Sequence, residues 1–436
     1  MPDFLEFRNL HYGLLGGIVR IEAKHDVAAV TICATNYLGK ALALRQSYLA
    51  YHPESDFYIL IIDKKHDKYQ ILESDIQILW VEDLGIDDFS HYAMKFDIIE
   101  LSTNVKATVL GKLLLRYQTV LYLDPDIYFY GSLQPVFEDL ASHAIVVTPH
   151  TMTPIQDGKC PSDIELLRFG AFNLGFIGVR KCEEAFQFLD WWSKRCLAFG
   201  FYEPQIGLAV DQKWMDLSPA FFPNMKILRD PGLNVAFWNL HERVVSSHDG
   251  DWLVNGRYPL RFFHFSSFNP NSPHAIAHKQ SRFETESRPD LHVLLDSYAR
   301  ALRENDDESY SSCNYSFGFF EDGLYVTPSL RRFYAALESQ FPLSENPFSH
   351  GSSLQRFAID HGLAGNKYKM FKQPTFKEMS TYSWGARAIS IGLRYILRAI
   401  GPNQYFILMR YLAYISSIRN QSNVFPKKSS TSVRRT

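Results

Sequence analysis

The 436 residues contain no uninterrupted apolar run near the ~18 residues that a membrane-spanning helix needs, which excludes such a span. Cysteine is scarce. Cys33, Cys160, Cys182, Cys196 and Cys313 form an odd set with no C-x-x-C pair and no histidines at zinc-finger spacing. A disulfide framework and a zinc-finger fold are thereby excluded, and reduced thiols are expected. Neither the P-loop pattern nor G-x-G-x-x-G occurs, and no repeat of fixed period is present. Positive charge is missing from the first residues, Met1-Pro2-Asp3-Phe4-Leu5-Glu6, where a signal peptide requires it. A cytoplasmic protein is expected.

Charge of one sign is absent overall, with 45 Lys+Arg against 47 Asp+Glu, but the balance is uneven along the chain. From residue 327 onward there are 16 Lys+Arg against 4 Asp+Glu, a surplus of 12, which leaves the preceding residues 14 negative. A nucleic-acid binder is excluded because the main body would repel phosphate backbones. At 46% hydrophobic and 21% charged residues, the composition fills a sizeable globular core.

Residues 27–34 are a β-branched apolar run suited to a strand buried on both faces, followed by Thr35-Asn36-Tyr37 and a helical stretch over 38–51 that stops at His52-Pro53. A second strand over 57–62 closes on Asp63. Polar residues thus gather after the first strand and at the end of the second, where open α/β sheets bind ligands. Further strands are predicted over 76–81, 119–123, 144–148 and 172–179, with helix over 96–117 and 183–199. Asn255-Gly256 is a type I′ hairpin signal that places His264 near a strand end. After about residue 285 the texture becomes helical and polar. Two apolar helical segments, 384–400 and 404–418, flank Gly401-Pro402; in the first, Ile389, Leu393, Ile396 and Ile400 form one stripe and Arg387, Arg394 and Arg398 another. Residues 421–436 have the composition of a disordered basic end.

The most specific feature is Leu121-Tyr122-Leu123-Asp124-Pro125-Asp126-Ile127, two carboxylates one residue apart directly after a buried strand. Both can face one hard cation that keeps open positions for phosphate oxygens; an ordinary Asp/Pro surface turn is the alternative.

With that motif on a mixed, mostly parallel sheet, the chain resembles a nucleotide-sugar glycosyltransferase of the Rossmann-like GT-A fold, most of all family 8, over about residues 26–270. The resemblance rests on Ala34-Thr35-Asn36-Tyr37, the D-x-D strand 120–126, Phe172-Asn173-Leu174-Gly175-Phe176, Asp211-Gln212 and His264. It implies that Thr35, Asn36 and Tyr37 hold the nucleotide base, with Asp63 beside them, and that Asp124, Asp126 and His264 bind Mn²⁺ or Mg²⁺. Asn173 and Lys106 would touch the donor, Lys106 pairing with Asp124 or the phosphates and Glu100 with Lys106, although a solvated lysine is the alternative. Asp211 and Gln212 would meet the transferred sugar as catalytic residues, Asp211 otherwise being a helix N-cap. Trp238 would stack on a sugar and Asn239 bond it, unless the loop 234–243 is simply packed. One departure is plain. The family follows its metal histidine with Gly and a Lys-Pro-Trp run, and His264-Phe-Ser-Ser-Phe-Asn-Pro270 lacks both the Gly and the Lys. His274, His278 or Lys279 would have to replace the missing phosphate contact.

The implied activity is metal-dependent transfer of a hexose from a UDP-sugar to a glycan, lipid-linked or polysaccharide acceptor, with retention through front-face attack. The competing readings are an inactive GT-A sugar- or nucleotide-binding module and a sugar nucleotidyltransferase, the latter disfavoured by the absence of a Gly-rich basic first loop. The expected organisation is an N-terminal extension (1–25), a transferase domain (26–285), a helical and loop region (286–383), an amphipathic helical extension (384–420) and the basic end (421–436). The extension would either dock on anionic lipid at the inner face of the membrane or be covered by protein.

Overall fold

The computed structural model describes residues 23–65, 76–248, 250–370 and 384–424. Most of the N-terminal extension and of the basic end lies outside these residues. The chain divides into two compact units, one of residues up to Phe89 with Ile98–Ser316, the other of Ser90–Asp97 with Phe317 onward.

In the first unit, strands β1 (Val27–Cys33), β2 (Asp56–Ile61), β3 (Gln77–Trp80), β4 (Thr119–Leu123), β6 (Ile145–Pro149), β7 (Phe172–Arg180) and β10 (Met225–Ile227) form one sheet in the order β10-β6-β7-β4-β1-β2-β3. All neighbours are parallel except β7, which runs antiparallel to both β4 and β6. This is the expected mixed, mostly parallel sheet. Its central strands are buried on both faces because alternate side chains meet different helical layers. Ala29, Cys33, Ile59, Ile61, Leu121 and Leu123 share a cluster with Leu38, Ala41, Leu44 and Tyr48 of the helix Leu38–Tyr51 and with Val136 and Leu140 of Gln134–Ser142.

Two expectations shift, and the expected turn between them holds. The helix expected over 96–117 is two, Ile98–Asn104 and Lys106–Leu114, the latter buried along its whole length and tied to Glu183–Phe199 by Thr108 and Ser193 at 2.9 Å. Asn255 and Gly256 do turn the chain at φ +54° and +66°, between β12 (Asp251–Val254) and β13 (Tyr258–Pro259), while β11 (Val245–His248) pairs on the other edge of β12. The first unit also extends past 285. The helix His292–Glu304 belongs to it because Leu291, Leu294, Leu295, Tyr298 and Leu302 pack with Val254, Leu260, Phe263 and Phe265. Phe265 and Tyr298 stack with ring centroids 3.8 Å apart.

The short strands β5 (Ile127–Phe129) and β14 (Phe262–His264) pair antiparallel, Phe129 opposite Phe262 and Ile127 opposite His264. Two residues distant in sequence are thus fixed at one point by register. The small pair β8 (Tyr202–Glu203) and β9 (Leu208–Ala209) leads into Asp211.

The second unit contains the segment 90–97, the antiparallel pair β15 (Leu324–Val326) and β16 (Ala364–Lys367), and the helices Pro328–Leu337 and Ser353–Asp360. Thr327 caps the first of these on Leu330 N at 3.2 Å, with Pro328 in its first turn. The helical stretch Trp384–Ile415 is broken at Gly401, φ +77°, as the Gly-Pro pair predicted. Ile389, Ile396, Ile400, Phe406 and Tyr411 along it are exposed.

Buried Arg331 anchors the two parts of this unit. Its guanidinium donates to the carbonyls of Ala93, Met94 and Phe96 at 2.7–3.2 Å and to that of Phe317. Charge-assisted bonds of this kind contribute about 1.5–3 kcal/mol each. Arg331→Met is therefore expected to destabilise the unit by about 3 kcal/mol or more, measured by urea unfolding and by loss of amide exchange protection in residues 90–97.

Candidate active site

Strand β4 ends at Leu123, and the turn Asp124-Pro125-Asp126 follows, closed by Ile127 N donating to Asp124 O at 3.1 Å. Asp124 N donates to Gly175 O at 2.8 Å, which binds the turn to antiparallel β7. From the other side β14 delivers His264. Its Nε2 lies 3.0 Å from Asp126 Oδ1 and 3.5 Å from Asp124 Oδ2, and one donor atom from each of the three residues falls within 4.8 Å of the others. Burial disfavours charge on both Asp126 and His264, yet their mutual attraction prevails: the carboxyl is held below the usual aspartate range and the imidazole above the usual histidine range.

The ring of His264 is held from behind. Asn234 Oδ1 lies 3.2 Å from Nδ1, while the Asn234 amide donates to Thr148 Oγ1 and Asn173 Oδ1 at 2.8 and 3.0 Å. Asn173 Oδ1 accepts Gly175 N–H as well. This chain orients Asn234 as acceptor toward Nδ1–H and leaves Nε2 facing the carboxylates. Trp238 packs edge-to-face on the same ring, with centroids 5.0 Å apart. Gly175 is required sterically, because a Cβ there would stand 2.4 Å from His264 Cε1.

A second charged group adjoins the first. Lys106 Nζ lies 2.7 Å from Asp211 Oδ2, donates to Leu174 O at 2.8 Å and sits 4.1 Å from the Tyr122 ring centroid, with both charged side chains almost wholly buried. Burial pushes the Asp211 carboxyl above its ordinary range and Lys106 restrains the rise. Tyr122 links the groups by donating its hydroxyl to Asp124 Oδ1 at 2.7 Å.

The structure therefore brings Asp124, Asp126 and His264 into one cluster, joins Lys106 to Asp211, and places Asn173 and Trp238 behind the histidine. Other expectations change. Lys106 is not solvated and its partner is neither Asp124 nor Glu100, whose Oε1 accepts Tyr202 N–H at 2.6 Å. Asp211 makes no side-chain cap. Gln212 bridges backbone, receiving Leu174 N–H and donating to Phe169 O. Asn239 is fully buried, and its carboxamide is spent on Ala236 N, His150 O and Asn234 O, so it holds the loop and has no donor left for a sugar. Trp238, 6% exposed, is a wall rather than an open platform. Thr35 is buried and directs N and Oγ1 to Asp63 Oδ2 at 2.7 and 2.8 Å, while Asp63 Oδ1 receives the Ser316 N and Oγ. Asp63 is thus a clamp between loops. Beside it Asn36 keeps an unpartnered buried Oδ1, and Tyr37 is 40% exposed. Lys40, missed in the sequence, lies over the Tyr37 ring at 3.9 Å and draws the Asp126 carboxyl down. Its signal was one turn of helix beyond Tyr37.

No family model matches the sequence. Two proteins of Bacillus subtilis (strain 168) are similar to it: uncharacterized protein YfnF, 25% identical over 282 residues that cover 63% of this chain and 91% of YfnF, and uncharacterized protein YfnD, 22% identical over 247 residues, 55% and 76%. Solved structures similar to this one include the galactosyltransferase LgtC with donor and acceptor sugar analogues, at TM-score 0.39 and 15% identity over 66% of this chain and 97% of LgtC. The glycosyltransferase GlyE of Streptococcus pneumoniae TIGR4 aligns at TM-score 0.36 and 13% identity, over 75% of this chain and 74% of GlyE.

Removing one member of the Lys106–Asp211 pair would leave a buried charge without its partner. Lys106→Met is expected to cost about 3–5 kcal/mol, with most of it recovered in Lys106→Met/Asp211→Leu. Because the Asp211 carboxyl already titrates above 3.8, the deficit of the single variant is expected to be small in acid and to grow as pH rises. Urea unfolding at several pH values measures both.

Proposed function

We propose that the chain is a metal-dependent glycosyltransferase that moves a hexose from a nucleoside-diphosphate sugar, a UDP-sugar, to a glycan or lipid-linked acceptor with retention. The observation that carries this reading is the convergence of Asp124, Asp126 and His264 beside the buried Lys106–Asp211 pair. Two carboxylates and one imidazole fit Mn²⁺ or Mg²⁺, and the Asn234 contact to Nδ1 leaves the correct nitrogen for it. Held by these residues, a divalent cation supplies positive charge to the departing diphosphate.

The chain's own residues do the remainder. Tyr37 offers an exposed face for the base and Lys40 a cation next to Asp126. Asn36 has a free acceptor for the base edge. Asp211, oriented by Lys106, is the carboxylate that bonds hydroxyls of the sugar. In front-face attack the acceptor oxygen bonds to the anomeric carbon as the bond to the phosphate oxygen breaks on the same side. The acceptor proton passes to that phosphate oxygen. The helices over 384–415, with exposed isoleucines and tyrosines, arginines and no acidic residue, suit an anionic lipid surface bearing the acceptor, at the cytoplasmic face.

Incubated with a panel of nucleotide sugars and Mn²⁺, the protein is expected to turn over one donor, and Asp126→Ala or EDTA to lower that rate by about 100-fold or more. Nucleotide binding without turnover in the presence of candidate acceptors would favour an inactive binding module. Proton and metal compete for His264, so metal affinity is expected to fall as pH drops through the raised histidine pKa. Titration calorimetry across pH 5–8 (about the histidine range) reads this. Gly175→Ala, which drives a methyl group into the imidazole, is expected to weaken metal binding by about 10–100-fold.

A further inference from the structure

The charges around the candidate site do not balance once a donor occupies it. Asp124 and Asp126 offset a divalent cation, and Lys106 is matched by Asp211 at 2.7 Å. The diphosphate of a nucleotide sugar then adds a negative charge on each phosphate, with no cation left among these residues to meet it. Of the groups expected to supply a phosphate contact, His274 is already held between Glu286 Oε1 and Asp296 Oδ1, each 3.1 Å from a ring nitrogen. A free cation does stand on the helix that follows the first strand.

Lys40 is the third residue of the helix Leu38–Tyr51, whose first turn holds no acidic residue. A positive side chain there opposes the helix dipole, and breaches of local preference of this kind gather at functional sites. Helical side chains lean toward the N-terminus, so the lysine stem runs back along the first turn and sets Nζ 3.9 Å from the centroid of the exposed Tyr37 ring. The same charge acts on Asp126. The ammonium thus reaches both the face offered to the base and a carboxylate offered to the metal. Among the described residues it makes no hydrogen bond or ion pair, and Asp126 is taken by His264 at 3.0 Å. Asp307 is the other carboxylate within its field. It packs on Gly39, where a Cβ would stand 2.5 Å from Asp307 Cα, and its carboxyl is raised by burial and restrained by the charge and the backbone N–H of Lys40. That packing fixes the turn from which Lys40 projects.

We propose that Lys40 Nζ binds the diphosphate of the donor and supplies the counter-charge that the carboxylate cluster lacks. The inference rests on the donor reading above and adds to it the residue that holds the phosphates. In a nucleotide sugar the diphosphate lies between nucleoside and sugar, so a group that reaches both the base platform and the metal cluster meets the phosphates first. A lysine suits this place because its ammonium is a compact charge with three donors that turn to follow the phosphate oxygens. The position also couples metal to nucleotide. An ammonium beside Asp126 repels a dication bound alone and attracts the same dication once it carries a diphosphate. Lys40 therefore disfavours the metal without the nucleotide and favours the two together.

The test is titration calorimetry on the full chain, with Mn²⁺ alone and with UDP or GDP in the presence of Mn²⁺. Lys40→Met keeps the length of the stem and removes the charge. It is expected to weaken nucleoside-diphosphate binding by about 10–100-fold while tightening Mn²⁺ alone several-fold, and Lys40→Arg is expected to keep most of the nucleotide affinity. Opposite signs for the two ligands are the signature of the charge, since a lysine that merely packs on Tyr37 would not strengthen metal binding. Unchanged nucleotide affinity in Lys40→Met, or affinities for nucleotide and for Mn²⁺ alone that fall together, would overturn the proposal. A wild-type chain that binds neither UDP nor GDP in the presence of Mn²⁺ overturns the transferase reading and this inference with it, a failure seen before any substitution is made.

Discussion

Three carboxylates, Asp124, Asp126 and Asp211, are brought together at the end of one buried strand and its neighbours, and the surrounding structure is arranged so that this much negative charge can exist there. Each has its own compensation. Asp211 has the buried Lys106, Asp126 has His264 and the field of Lys40, and Asp124 has the Tyr122 hydroxyl and remains 30% exposed. Low-dielectric surroundings strengthen these pairings and make each one hard to remove. The segments that supply the partners are far apart in sequence, so the charge constraint reaches across most of the first unit.

The residues behind His264 show how a sequence motif can act without touching a ligand. Phe172-Asn173-Leu174-Gly175-Phe176 contributes a carboxamide that orients Asn234, a carbonyl that receives Lys106, another that receives Asp124 N–H, and a missing side chain that admits the imidazole. Four jobs come from one strand because β7 alone runs antiparallel in the sheet and passes both charged groups. Its glycine is needed for space rather than for backbone freedom.

Much of this was legible in advance. Strand β4 and the helices Leu38–Tyr51 and Glu183–Phe199 match the bounds read from the sequence, and the Asp124–Asp126 spacing marked the turn on which His264 converges. What escaped depends on partners distant in the chain. That Asn239 is consumed by His150 and Asn234, or that Asp63 is closed by Ser316, is a matter of loop packing with no local signature. Lys106 was expected against Asp124, the phosphates or Glu100, and only the register of the strands brings it to Asp211. The boundary near 285 followed a change in composition, whereas the hydrophobic face of His292–Glu304 answers to Phe263 and Phe265.

The second unit is assembled from two stretches of chain separated by the whole of Ile98–Ser316. Tyr92, Met94 and Phe96 find cover there, and Arg331 closes the carbonyls above them. On the ribosome, at about 5–20 residues per second, the first stretch emerges roughly 10–45 s before its partners exist. For that interval the nascent chain carries Tyr92, Met94 and Phe96 ahead of the residues that bury them in the folded unit.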